Sequence, residues 1–140
     1  MIVLDTNVVS EPIRPSPSET VLQWLDAQSR SDTYVTAISE AEMIGGAMAL
    51  AAGARRDSLA QQISLIFSEE FADRVLFFDS AAARAFPSVA RRVRGNFVLD
   101  PDAQIAAIAY VHGAMVATRN IKHFLGRGIA LVNPWTGQRI

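Results

Sequence analysis

The chain has 140 residues, of which 50% are apolar and 19% charged, with a formal net charge of −1. A length of this kind suits one domain spanning 1–140, able to bury about two-thirds of its unfolded surface, and the apolar content excludes a disordered chain. No apolar run approaches the ~18 to 20 residues that a bilayer span needs, MIVLDTN lacks a leader pattern, and the absence of cysteine excludes disulfides, thiolate zinc sites and Cys nucleophiles. The expectation is a cytoplasmic protein with no membrane association. Near-neutral charge does not exclude nucleic acid as a partner. Twelve of the thirteen basic residues are Arg, and Arg91, Arg92 and Arg94 cluster. Such a cluster suits phosphate, and it equally suits a solvated helix end.

In chain order, Ile2–Leu4 reads as a short apolar strand, followed by a short helix that Pro12, Pro15 and Pro17 bring to an end. A helix runs from Pro17 or Ser18 to about Ser29, its apolar face formed by Val21, Leu22, Trp24 and Leu25. Strand-like runs recur at Thr33–Thr36, Val75–Phe78, Met115–Ala117 and Ile129–Val132. Helical stretches fall around 39–52, 54–71, 80–94 and 101–112, with Gly53 and Gly113 where two of them should stop. Strands alternating with helices, without hairpin signals, predict an α/β domain: a central, mostly parallel sheet covered by helices.

In open sheets of this class, ligands bind beyond the carboxyl ends of the strands. Four polar clusters fall there: Asp5-Thr6-Asn7, Ser39-Glu40-Ala41-Glu42, Asp100-Pro101-Asp102 and Thr118-Arg119-Asn120. Each has a local explanation. Ser39-x-x-Glu42 matches a capping box, Asp100-Pro101-Asp102 a helix start, and Asn7 and Asn120 suit caps or turns. Taken singly, each is more readily a cap than a catalyst. Together they place acids at three sheet-end positions, which hard divalent cations require and capping does not explain. Asp5 directly continues a strand that should be central and buried, so it must be capped, paired or metal-bound. Gly45-Gly46 lies inside a helix without the Lys-Ser/Thr of a phosphate loop, and close helix packing accounts for it better. His112 and His123 read as structural or surface residues.

The strings Ile2-Val3-Leu4-Asp5-Thr6-Asn7-Val8-Val9-Ser10-Glu11, Ser39 to Gly46, Asp102 to Ala109, Val116 to Asn120 and Val132-Asn133-Pro134-Trp135 carry a resemblance. In that order they resemble PIN-domain proteins, specifically the FitB/VapC-type ribonuclease toxins of bacterial toxin–antitoxin pairs. The resemblance implies a PIN-like three-layer sandwich, Mg²⁺ or Mn²⁺ as cofactor and RNA as substrate. It also implies a small cognate antitoxin that blocks the site, and a homodimer. Asp5, Glu42 and Asp102 match the family's three acidic metal-site positions. Asn120 stands where relatives often carry Asp, which removes a charge and favours one firmly held ion over two. Thr6 and Thr118 lie beside ligand positions, as orienting hydroxyls or plain turn residues. Arg119 either contacts phosphate, or is a surface charge or carboxylate partner. Rival readings are a metal-dependent DNA nuclease and a nucleic-acid-binding partner of an antitoxin that cleaves nothing. A phospho-acceptor receiver domain is disfavoured, because Asp57 falls in a helical stretch and Lys122 is the only lysine.

Overall fold

The computed structural model describes residues 1–140. Its strands are β1 (Ile2–Leu4), β2 (Thr33–Thr36), β3 (Val75–Leu76), β4 (Arg92–Val93), β5 (Asn96–Phe97), β6 (Met115–Ala117) and β7 (Leu131–Val132). The helices are α1 (Thr6–Ser10), α2 (Glu19–Asp26), α3 (Ala37–Met48), α4 (Ala54–Leu65), α5 (Ser80–Val89), α6 (Pro101–Val111) and α7 (Ile121–Phe124).

Five strands form one parallel sheet in the order β3-β2-β1-β6-β7. Register aligns Val3 with Val116 and Val116 with Leu131, and on the next row Leu4 with Ala117 and Ala117 with Val132. Because side chains alternate along a strand, these rows face opposite layers. The Val3 row packs with Ala82, Val89, Phe124 and the apolar run Ile105–Ala109 of α6. The Leu4 row packs with Val8, Val9, Met43, Ala47, Ile63 and Phe67, from α1, α3, α4 and the π-helical segment Ile66–Glu70 that continues α4. Helices therefore cover both sides, and a strand with fully buried Val3 can hold no polar residue until it ends. It ends at Asp5.

Four local expectations change. The helix expected over 80–94 stops at Val89, since Pro87 supplies no N–H for its last turn and Ala90 is extended. Beyond it lies a hairpin, contrary to the absence of hairpin signals: β4 and β5 pair antiparallel across Arg94 (φ 51°) and Gly95 (φ 84°). Two successive positive φ values are what a tight two-residue hairpin turn needs. The helix expected to begin near Ser39 begins at Ala37, with Thr36 as its cap: the Thr36 hydroxyl accepts from the Ser39 N–H at 3.0 Å. Ser39-Glu42 is therefore not a capping box. A Cβ at Gly45 or Gly46 would meet nothing within 4 Å, so close packing does not explain that pair.

Candidate metal centre

β1 is the strand at which the chain's crossovers diverge, with β2 on one side and β6 on the other. The crevice at its carboxyl end is thus the switch point of the sheet. Asp5 is the floor of that crevice, 3% exposed. Its Oδ1 accepts the Thr6 N–H at 2.8 Å, and its Oδ2 accepts the Thr118 hydroxyl at 2.7 Å and the Asn7 Nδ2 at 2.6 Å. Asn7 also accepts the Arg119 N–H at 3.0 Å, tying the β1 end to the β6 end. Thr118 in turn accepts the Asn120 N–H at 2.9 Å.

Glu42 reaches the crevice from α3, its Oε2 2.5 Å from the Thr6 hydroxyl, which lies 3.0 Å from Ser39 Oγ. Asp102 reaches it from the first turn of α6, where Asp100 is the cap, accepting the Ala103 N–H at 2.7 Å. The Asp102 Oδ2 lies 2.9 Å from Nδ1 of His123. Burial pushes the Asp5 carboxyl up to about 6. The hydrogen bonds from Thr118 and Thr6 oppose that rise, while the charges of Asp102 and Glu42 add to it.

These three carboxylates share one electrostatic environment without forming a closed cage: no three acidic or imidazole groups are gathered tightly enough to enclose an ion. Glu42 is turned to Thr6 and Asp102 to His123. The donor set nonetheless fits a hard divalent cation. It consists of carboxylate oxygens, one of them buried where its charge is costly and raised further by the other two.

Other residues fall out differently. Asn120 precedes α7 but makes no side-chain cap bond. Arg119 does not pair with a carboxylate; its guanidinium lies 5.2 Å from the Trp135 ring centroid. Asp100 caps α6 and lies 4.0 Å from the buried Arg127. Arg127 donates to the carbonyls of His123 and Val89, joining α7 to the end of α5. Sequence reasoning missed Arg127 and set His123 aside. No local signal marked His123, whose contact with Asp102 joins residues 21 apart.

The PIN domain profile matches residues 2–125. The chain is 41% identical to the plasmid stability protein StbB of Pseudomonas syringae pv. tomato, over 96% of this chain and 99% of that one. It is 37% identical to the toxin FitB of Neisseria gonorrhoeae over 96% and 99%, and 39% identical to the VapC ribonuclease Y4jK of Sinorhizobium fredii over 96% and 98%. Among solved structures, that of FitAB bound to an IR36 DNA fragment superposes with a TM-score of 0.86 at 38% identity, covering 96% of both chains. On the matched profile, these identities and the shared fold, the chain belongs to the PIN-domain family, among the proteins of the FitB/VapC type.

Proposed function

We propose that this chain is a Mg²⁺-dependent endoribonuclease, the toxin of a toxin–antitoxin pair. The observation that carries the reading is that Glu42 and Asp102 lie close enough to Asp5, at the switch point of the sheet, for their charges to add to the rise that burial imposes on it. The names of the relatives FitB and VapC Y4jK, a toxin and a ribonuclease, support it.

Asp5, Glu42 and Asp102 would hold the ion, with Mn²⁺ as the alternative to Mg²⁺. When bound, the ion supplies charge neutralisation at the phosphate and a more acidic water. The chain's own residues do the rest. Thr118, Asn7 and the Thr6 N–H fix both oxygens of Asp5, so its orientation is set before any ligand arrives. The Thr6 hydroxyl holds Glu42 and His123 holds Asp102. With Asn120 uncharged at the fourth position, three carboxylates define one firmly held ion. We further propose that the domain spans 1–140, acts in the cytoplasm on RNA, forms a homodimer and is blocked by a small cognate antitoxin.

The test is cleavage of single-stranded RNA by purified protein with Mg²⁺ and with chelator. Wild type should cleave only with the metal. Asp5→Asn, Glu42→Gln and Asp102→Asn should each lose at least about 100-fold of the rate, the scale on which a catalytic electrostatic group acts. Cleavage in chelator, or full activity in Asp5→Asn, rejects the assignment.

A further inference from the structure

From Ser80 to Leu99 the chain carries four Arg and no acid, in a protein of net charge −1. Three of the four, Arg91, Arg92 and Arg94, sit on or beside the β4–β5 hairpin, and every residue from Arg91 to Phe97 is exposed. The chain's ion pairs are Arg14–Glu11, His123–Asp102 and Arg127–Asp100, so the three hairpin guanidiniums have no carboxylate partner. Arg92 is nevertheless ordered: its guanidinium lies 4.5 Å from the centroid of Phe97, which packs edge-on against Phe86 at 6.1 Å. The tight turn at Arg94-Gly95 holds the arm in one shape.

The chain tethers the arm close to the start of α6. Phe97 is three residues from Asp100, a span of at most about 11 Å, and Asp102 follows in the first turn of α6. At the hairpin's base, Arg91 lies near enough to Arg127, the neighbour of Asp100, for their charges to repel. Just after β6, beside Asn7, Arg119 lies over Trp135, another guanidinium–aromatic pair. Unpaired guanidiniums held on aromatic rings are the usual surface for a single-stranded nucleic-acid backbone and its bases. From this geometry we infer that the β4–β5 hairpin is a phosphate-gripping arm, holding single-stranded RNA beside the acidic crevice; the inference rests on the ribonuclease reading above. A second copy of this chain is a poor occupant, because a two-fold contact through the arm would set Arg against Arg.

The experiment is single-turnover cleavage of a mixed-sequence single-stranded RNA with Mg²⁺, the full-length protein being varied in concentration at several salt concentrations. Arg92→Ala/Arg94→Ala should raise the half-saturating protein concentration on the order of tenfold at 0.1 M salt. It should also lower the log–log salt slope by about 1.4, two contacts at about 0.7 each. The plateau rate should hold, and Arg92→Lys/Arg94→Lys should recover most of the slope, because lysine keeps the charge. Unchanged half-saturation and slope in the Ala variant overturn the proposal. So does a changed oligomeric state with RNA half-saturation intact, which assigns the arm to a protein interface. If wild type cleaves no RNA at all, the ribonuclease reading itself fails, and the arm's role fails with it.

Discussion

Asp5 is a carboxylate placed where its charge is expensive. Its folded pKa of about 6 stands above the unfolded value of 3.8, so between those limits the folded chain binds more protons than the unfolded one. Stability contributed through this group is therefore full below pH 3.8 and is lost as pH rises through 6, on the order of 3 kcal/mol in all. In chelator, wild type should lose thermal stability relative to Asp5→Asn between pH 4 and 7; a constant difference across that range contradicts the burial account. At this scale the sequence was informative wherever the chemistry was local. Asp100-Pro101-Asp102 reads as a helix start and is one, with Asp100 accepting from the Ala103 N–H. His123 was illegible, because its contact with Asp102 joins residues 21 apart through two separate helices.

At the level of elements, the strands and most helices follow from apolar periodicity, and the failures have common physical causes. Thr36-x-x-Ser39 and Ser39-x-x-Glu42 overlap as capping patterns, and the sequence alone does not rank them. The strand passes into α3 without a loop, so the last residue of β2 is also the cap of α3. This separates two roles that a capping box would have merged in one motif. Thr36→Ala should destabilise the fold by about 1 to 2 kcal/mol, measured by urea unfolding. Glu42→Gln, at an exposed site in the second turn, should leave stability within about 0.5 kcal/mol of wild type. The reverse order would restore the capping box. The β4–β5 hairpin was hidden because Arg91, Arg92, Val93 and Arg94 extend a helical pattern, although Pro87 and Gly95 marked its limits.

For the molecule as a whole, the parallel order β3-β2-β1-β6-β7 does what no single motif does: it brings residues 5, 42, 102 and 118 to one crevice. The fold class was legible from the alternation of strands and helices, and acids at three strand ends suggested convergence. The strand order that brings them together is not written in local spacing, so the matching of all three to one site came through resemblance. Two layers of helices cover the faces of the sheet, and β1 delivers Asp5 to its carboxyl end between its two neighbours. The central claim is that this convergence holds a divalent ion, and Mn²⁺ binding followed by electron paramagnetic resonance tests it without reference to any substrate. Wild type at neutral pH should bind one Mn²⁺ per chain firmly, displaced by Mg²⁺, and Asp5→Asn, Glu42→Gln and Asp102→Asn should each weaken it about tenfold or more. Wild-type affinity retained in all three variants, or no binding by wild type, would contradict the account.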